Sequence, residues 1–265
     1  MNRIDSAFQR TRERGEKTLI AYVMAGDPTL EDTEAYVLAL AQAGADIIEL
    51  GVPFSDPIAD GPVIQQAAER ALRSGTTLKA ILAAVRSLRT KTQIPLVLMA
   101  YYNSVFRYGE AAFCRDAVAA GVDGLIVPDM PPDEAGTIHP LAEAAGLDVI
   151  FLLAPTSTAK REAAVARLSR GFIYYVSLTG ITGAKLTDKA DVEKKVREIR
   201  RYTQTPVAVG FGIATPEDAR EVARIADGVI VGSALVKIIA AGGLPVVTKR
   251  LTAFTRSLKA ATLSS

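Results

Sequence analysis

The sequence predicts an α/β fold, a single closed (β/α)8 barrel of the TIM type, on three observations. Eight short apolar segments recur along the 265 residues, and helical patterns lie between them. The apolar segments are unbroken rather than alternating, as in parallel strands that are covered on both faces. The length suits one domain, residues 1–265, and we find no linker or low-complexity stretch that would divide it. An open doubly wound sheet is the structural alternative.

The order of the elements follows the barrel pattern, with two additional helices. Ile4, Phe8 and Thr11 recur at helical spacing, which predicts an extra N-terminal helix over residues 2–14. A short extra helix is expected to start near Ser233, before the last long helix. The eight predicted strands are residues 19–25, 45–50, 94–100, 124–127, 149–153, 171–176, 205–209 and 227–231.

Glycines and caps mark the helix ends. Gly44, Gly121 and Gly146 each separate a helical pattern from a strand, as a left-handed residue at the end of a helix would. Residues 215–218, Thr-Pro-Glu-Asp, combine a cap, a first-turn proline and two acids, which predicts a helix start. Residues 131–134, Pro-Pro-Asp-Glu, resemble this pattern and are also expected to begin a helix.

Composition and charge exclude several classes of protein. With 31 basic and 29 acidic residues, the net charge is +2, so no global field attracts the chain to nucleic acid or membrane. A single cysteine, Cys114, forms no disulfide within the chain and fits a reducing compartment. Residues 1–17 are polar and do not form a signal peptide, and the apolar runs are too short to span a bilayer. We therefore expect a cytoplasmic protein.

Residues 49–62, after the second strand, carry the strongest chemical signal. Strand alternation puts Glu49 on the face of Ile47, so that it could point into the barrel mouth, where barrel enzymes place their reacting groups. Asp60 is a second carboxylate eleven residues later. A strand-end Glu can equally pair with a neighbouring Arg, and Asp56 and Asp60 can simply form turns.

Other strand ends add further candidates. Tyr101 and Tyr174 lie at the ends of strands three and six, and Asp27 and Asp129 follow strands one and four. For Asp27 and Asp129, a turn or capping role is favoured over catalysis.

Glycines after strands seven and eight predict a phosphate cradle. Gly210-Phe211-Gly212 and Gly232-Ser233 would let a phosphate approach backbone N–H groups, and the helix near Ser233 would point its N-terminus at the anion. No Lys or Arg lies in either loop. The long glycine-containing connection 177–188 is then a candidate closing lid, although it could be a plain disordered loop.

The residue types that the sequence lacks argue against several types of catalysis. His139 is the single histidine, too few for a typical zinc site, and Cys114 fits a helix core better than a nucleophile. No predicted strand contains a lysine for a Schiff base, and no Gly-x-Gly-x-x-Gly follows strand one. General acid–base catalysis by carboxylates on a phosphorylated substrate, without metal or cofactor, remains.

Five motifs together resemble the tryptophan synthase alpha subunit family, in order along nearly the whole chain. They are residues 26–28, 49–62, 127–129, 180–183 and 210–213, of which 49–62 is the most specific. The resemblance implies the retro-aldol cleavage of indole-3-glycerol phosphate to indole and glyceraldehyde 3-phosphate. It also implies a β subunit as partner in an α2β2 heterotetramer. That subunit would use pyridoxal phosphate to join indole to serine, and no cofactor is expected in this chain.

The resemblance also implies residue roles. Glu49 would protonate the indole ring, Asp60 would bind the indole N–H, and Tyr174 would stand near the glutamate. Tyr22 occupies a position where many members have Phe and would cover the indole face. Residues implied for substrate, phosphate and lid are Tyr22, Thr182, Gly183, Phe211, Gly212, Gly232 and Ser233, and those for the partner interface are Pro53, Asp56, Pro57 and Asn103.

The sequence differs from the family pattern at one position of the lid, and three alternative functions are considered. Many bacterial members begin the lid with Ser-Arg, whereas this chain has Ser177-Leu178, which argues against closure by an arginine. The rivals are a freestanding indole-3-glycerol phosphate lyase, a sugar-phosphate isomerase or epimerase of the same barrel class, and a catalytically silent regulatory barrel.

Overall fold

The chain forms a nearly closed barrel of parallel strands in a computed structural model that describes residues 2–177, 189–210 and 212–263. The nine strand segments are β1 Thr18–Met24, β2 Ile47–Gly51, β3 Leu96–Met99, β4 Gly124–Ile126, β5 Asp148–Ile150, β6 Leu152–Leu153, β7 Ile173–Val176, β8 Val207–Gly210 and β9 Gly228–Val231. Their order in the sheet is β5-β4-β3-β2-β1-β9-β8-β7-β6, which excludes the open sheet with its rearranged order. The predicted (β/α)8 barrel is confirmed.

Segments β5 and β6 are the two halves of the predicted fifth strand. They are separated by Phe151, whose N–H donates to the hydroxyl of Ser169 at 3.1 Å. The carbonyl of Phe151 accepts a hydrogen bond from the N–H of Tyr174 at 3.1 Å, which links this strand to β7 and closes the ring. A side chain therefore replaces one ladder bond at the seam of the barrel.

Helices surround the strands and close one end of the ring. The described helices are α1 Arg3–Glu13, α2 Leu30–Gln42, α3 Pro62–Arg73, α4 Leu78–Arg89, α5 Tyr102–Tyr108, α6 Glu110–Ala120, α7 Ile138–Ala145, α8 Ala159–Leu168, α9 Lys189–Ile199, α10 Pro216–Ala223, α11 Ser233–Ala240 and α12 Leu244–Ala261. The predicted extra helices are present as α1 and α11. Helix α1 inserts Ile4 and Phe8 into the barrel interior, where Phe8 lies 5.8 Å from the ring of Phe172.

Side-chain alternation along the strands creates two layers of core. Ile47 of β2 faces the barrel interior, whereas Ile48 and Leu50 pack between the strands and the helices. Every residue of β1 is buried, because both faces of the strand are covered. The alternation puts Glu49 on the inner face with Ile47, as the sequence predicts.

Three aspartates tie the N-terminal ends of neighbouring strands together. The carboxylates of Asp46, Asp123 and Asp227 accept hydrogen bonds from the N–H groups of residues 19, 96 and 207 at 2.8, 2.8 and 2.9 Å. Each carboxylate also pairs with a cation: Lys259 with Asp46, Arg3 and Arg89 with Asp123, and Arg200 with Asp227. This aspartate ring anchors the end of the barrel that faces away from residues 49–62.

Most of the predicted helix ends are confirmed, and one is wrong. Gly44, Gly121 and Gly146 adopt left-handed φ angles of +106°, +99° and +81°. Thr215 and Asp218 form a reciprocal capping box at the start of α10. Residues 131–134 contain only a 3-10 turn, and α7 begins later at Ile138, because Pro131 offers no side-chain acceptor for the orphan N–H groups.

His139 is half-buried, with Nε2 2.9 Å from the carbonyl oxygen of Leu168 and its ring stacked on Phe151. Among the described helices, none is both long and apolar enough to cross a membrane.

Candidate active site

Glu49 lies at the centre of the C-terminal mouth of the barrel. Its strand positions pair with Tyr22 on β1 and Val97 on β3, so these side chains point to the same face. Glu49 is 1% exposed, and both carboxyl oxygens are buried without a hydrogen-bond partner among the residues that the structure describes. Burial, and then the charge of Asp60, raise the pKa of Glu49 to about 8. The carboxyl therefore holds a proton at neutral pH.

Asp60 approaches this carboxyl from the loop before α3. The backbone of Asp60 is held on both sides, since its N–H donates to the carbonyl of Pro57 at 3.0 Å and its carbonyl accepts from the side chain of Gln65 at 2.8 Å. Burial raises the pKa of Asp60 to about 6, and a hydrogen bond from Tyr101 opposes this rise. Near pH 7, Asp60 is mostly charged while Glu49 is mostly neutral.

Tyr101 is a part of the site that sequence reasoning left among the minor candidates. Its hydroxyl accepts a hydrogen bond from the N–H of Ala59 at 2.9 Å and donates to the carboxylate of Asp60. Its ring stacks on Phe54, with centroids 5.1 Å apart. Tyr101 therefore fixes both ends of the loop between strand β2 and Asp60. Its place at a strand end was the available signal, but its partners were not readable from sequence.

The side chains of two other tyrosines, Tyr22 and Tyr174, pass over glycines into the barrel mouth. A Cβ atom at Gly51 would lie 2.1 Å from the hydroxyl oxygen of Tyr22, and one at Gly210 would lie 2.6 Å from that of Tyr174. A side chain at either position would displace the phenol, so these glycines leave space for the two hydroxyls. Burial is the main cause that raises the pKa of both phenols, which remain protonated donors.

One cavity brings most of the predicted site residues together. Its lining includes seven of the predicted residues, namely Tyr22, Glu49, Asp60, Tyr174, Gly212, Gly232 and Ser233. It also includes four apolar residues that sequence reasoning missed, namely Ile64, Met99, Ile213 and Ile230. Hydrophobic walls around two carboxyls suit an aromatic substrate with a few polar atoms.

The rim of this cavity has the geometry expected of a phosphate cradle. Gly232 immediately precedes α11, whose first residue is Ser233, so the free N–H groups of the helix face the cavity rim. Gly212 has a φ of +78° and borders the same space. The predicted residues Thr182, Gly183 and Phe211, with most of the candidate lid, lie outside the described residues.

The predicted interface residues follow the adjacent strands β2 and β3, at one side of the mouth, and differ in exposure. Asp56 and Asn103 are exposed and Pro57 is half-buried, whereas Pro53 is buried and offers little surface to a partner. Two large apolar side chains of these loops, Ile58 and Phe106, are 77% and 62% exposed, and the sequence singled out neither of them. Exposed apolar side chains at the mouth are candidates for a protein-binding face.

The remaining candidates have structural roles. The carboxylate of Asp27 is 1% exposed and forms a bidentate ion pair with Arg70, both contacts at 2.7 Å. Asp129 accepts a hydrogen bond from the N–H of Tyr102 at 2.9 Å and so caps the start of α5. Cys114 is buried in α6, and burial raises the pKa of its thiol to about 11. Within the described ranges, no cluster of three or more His, Cys, Asp or Glu residues could hold a metal.

Comparison with known proteins gives consistent matches along the whole chain. The family model for the tryptophan synthase alpha chain matches residues 8–263. A tryptophan synthase alpha chain of Citrifermentans bemidjiense is 58% identical over 237 residues, 89% of each chain, and one of Geotalea uraniireducens is 52% identical over 260 residues, 98% of this chain and 97% of its own.

Solved structures agree with these sequence matches. Tryptophan synthase subunit alpha of Legionella pneumophila superposes with a TM-score of 0.90 at 37% identity, covering 99% of this chain and 98% of that one. A chain of Mycobacterium tuberculosis tryptophan synthase gives a TM-score of 0.91 at 42% identity, with coverage of 100% and 99%.

Proposed function

Since the chain belongs to the tryptophan synthase alpha chain family, we propose that Glu49, Asp60 and Tyr174 carry its reaction. That reaction is the cleavage of indole-3-glycerol phosphate to indole and glyceraldehyde 3-phosphate, and the enzyme is a carbon–carbon lyase. The supporting observation is the buried Glu49 carboxyl, which has no hydrogen-bond partner in the described part of the chain and faces one cavity together with Asp60. An unpaired buried carboxyl costs stability, so its retention favours a chemical role.

The bond between indole C3 and the glycerol chain breaks only when the ring can accept the bonding electrons. Protonated Glu49 donates its proton to C3, which turns the ring into an indolenine cation. The carboxylate of Asp60 binds the ring N–H and stabilises the positive charge there. Glu49, now a carboxylate, takes the proton of the hydroxyl next to the ring. The hydroxyl carbon becomes the aldehyde as the carbon–carbon bond breaks and its electrons return to the ring.

The other residues of the cavity hold the substrate. Tyr22 and Ile64 cover the faces of the indole, and the glycines with Ser233 bind the phosphate through backbone N–H groups and the α11 dipole. Tyr174 lines the same cavity as Glu49, and after burial the charge of Glu49 is the next cause that raises the pKa of its hydroxyl. Thr182 and Gly183 are assigned to the lid and phosphate site on the family resemblance alone.

The test is a cleavage assay with indole-3-glycerol phosphate on the wild-type chain and its Glu49→Gln and Asp60→Asn variants. Each variant is expected to lose several kcal/mol of transition-state stabilisation, since each removes one proton carrier or counter-charge. Near-normal cleavage by Glu49→Gln would remove Glu49 from the mechanism. Weak affinity of the wild type for indole-propanol phosphate would point instead to a sugar-phosphate isomerase or epimerase.

Members of this family act with a β subunit, which carries pyridoxal phosphate, and we propose an α2β2 assembly for this chain. Ile58 and Phe106, beside the exposed Asp56 and Asn103, give the mouth an apolar docking face that a freestanding lyase would not require. No cofactor is assigned to this chain. A cytoplasmic location, one domain over residues 1–265 and the lack of nucleic-acid or membrane partners remain predictions.

A further inference from the structure

The hydroxyl of Tyr22 is a polar group of the cavity to which the mechanism above gives no task. Tyr22 pairs with Glu49 in the strand register, so its side chain points into the barrel mouth. The hydroxyl reaches across to Gly51, where a Cβ atom would lie only 2.1 Å from its oxygen. Gly51 is the next inward position after Glu49 on β2, so the hydroxyl lies on the solvent side of Glu49, toward the Asp60 loop.

The charges around this hydroxyl come from several elements. Besides Tyr22 itself, the ionisable groups that face it within the described residues are Glu49 on β2, Asp60 before α3, Tyr101 after β3 and Tyr174 on β7. On α3 and α11, Ile64, Ala67 and Val236 form one apolar cluster with the Tyr22 ring, and Ser233 of α11 lines the same cavity. Burial is the largest cause that raises the pKa of Tyr22. The charge of Asp60 is the second largest, ahead of the charge of Glu49. The phenol therefore stays protonated and can donate.

We infer that Tyr22 is a positioning residue whose hydroxyl donates a hydrogen bond to the carboxylate of Asp60 and keeps it directed at the substrate N–H. Asp60 is the acceptor rather than Glu49 because the hydroxyl lies beyond Glu49 along β2, on the side of the Asp60 loop. Hydrogen bonds to charged acceptors are also the stronger ones. With Tyr101, the site then has two phenols that hold one carboxylate. This inference rests on the role proposed for Asp60.

The first arm of the test measures the pKa of Asp60 directly, without activity. The full chain is labelled with ¹³C at aspartate carboxyls, and the signal of Asp60 is assigned from its loss in Asp60→Asn. Tyr22→Phe, which keeps the ring, is expected to raise the pKa of Asp60 by about one unit, as loss of a donor to a carboxylate does. Gly51→Ala should shift it in the same direction, because its methyl carbon would displace the hydroxyl.

A matched control removes a buried phenol outside the cavity. Tyr36 of α2 is 1% exposed and does not line the site, so Tyr36→Phe should leave the pKa of Asp60 unchanged. Thermal unfolding of each variant verifies that the fold is kept. An unchanged pKa of Asp60 in both folded variants, Tyr22→Phe and Gly51→Ala, would overturn the inference.

The second arm measures kcat/KM for indole-3-glycerol phosphate against pH. Tyr22→Phe is expected to move the acid limb upward by about one pH unit and to leave the alkaline limb in place. If the NMR shift occurs without movement of the acid limb, the positioning contact stands and the role proposed for Asp60 fails. If activity falls but neither the NMR value nor the acid limb moves, the Tyr22 hydroxyl acts on a group other than Asp60 and the inference is wrong.

Discussion

The hydroxyl of Tyr101 lies 2.9 Å from the backbone nitrogen of Ala59, and this bond ties the end of strand β3 to the residue before Asp60. The same hydroxyl donates to the Asp60 carboxylate. The loop that carries Asp60, the carboxylate proposed to bind the indole N–H, is thus fixed by a residue that follows another strand.

Removing this hydroxyl should impair catalysis without unfolding the barrel. Tyr101→Phe is expected to lower kcat/KM for indole-3-glycerol phosphate by about tenfold, the usual effect of losing a hydrogen bond to a charged group. Steady-state kinetics measure the change. Tyr108→Phe is the control, because that hydroxyl bonds Asp116 at 2.9 Å away from the cavity. Equal kinetics in the two variants would remove Tyr101 from the site.

The pH dependence of kcat/KM should be bell-shaped. Activity requires charged Asp60 and protonated Glu49, whose pKa values are raised to about 6 and about 8. The rate should therefore rise as pH passes about 6, when Asp60 loses its proton, and fall above about 8, when Glu49 loses its own. A profile that keeps rising beyond pH 9 would contradict the assignment of Glu49 as the acid.

The stability of the free chain should also respond to Glu49. A carboxyl whose pKa is raised to about 8 in the folded state, from 4.5, binds its proton more tightly when folded. Its contribution is fully present below pH 4.5 and is lost as pH rises through about 8, at up to about 1.4 kcal/mol per pH unit. In Glu49→Gln this part of the stability loss with rising pH should be absent, because glutamine does not titrate.

Urea unfolding at pH 6 and pH 9 measures this effect. The wild type is expected to lose more stability between the two values than Glu49→Gln does, while Glu143→Gln, on the exposed side of α7, should behave like the wild type. Parallel curves for wild type and Glu49→Gln would mean that Glu49 is not held protonated by the fold.

The apolar face at the mouth should determine partner binding. Ile58→Ser and Phe106→Ser are expected to weaken association with the β subunit by at least tenfold while the isolated chain keeps its basal cleavage rate. Calorimetric titration measures the affinity. Val246→Ser, at a 51% exposed position on α12, is the control and should bind normally. Normal affinity of both mouth variants would place the interface elsewhere.

The ion pair between Asp27 and Arg70 should matter for stability. Arg70→Ala leaves a carboxylate buried without its partner, which costs about 3 kcal/mol. Arg197→Ala removes an exposed helical pair with Glu193 and should cost less than about 0.5 kcal/mol. Urea midpoints compare the two variants, and equal midpoints would show that water replaces Arg70 at Asp27.

The barrel, its two extra helices and the inward direction of Glu49 follow from local sequence signals. Glycine at helix ends and the two-residue period of strands are chemical constraints that act within a few positions. Partners from distant parts of the chain are not encoded in this way. Three features depend on how distant segments of the chain pack together, and a turn pattern or a strand end could not reveal them. They are the ion pair of Asp27 with Arg70, the hydrogen bond from Ala59 to Tyr101 and the exposure of Ile58.

The aspartate ring at the opposite end of the barrel has a genetic consequence. Asp46, Asp123 and Asp227 hold strand starts that are far from Glu49, so alleles that alter them should reduce the amount of folded enzyme rather than its turnover. Such alleles would be temperature-sensitive and recover tryptophan-independent growth in the cold. If Glu49 is the acid as proposed, its alleles would remain auxotrophic at every temperature, because they would lack the chemistry and keep the fold.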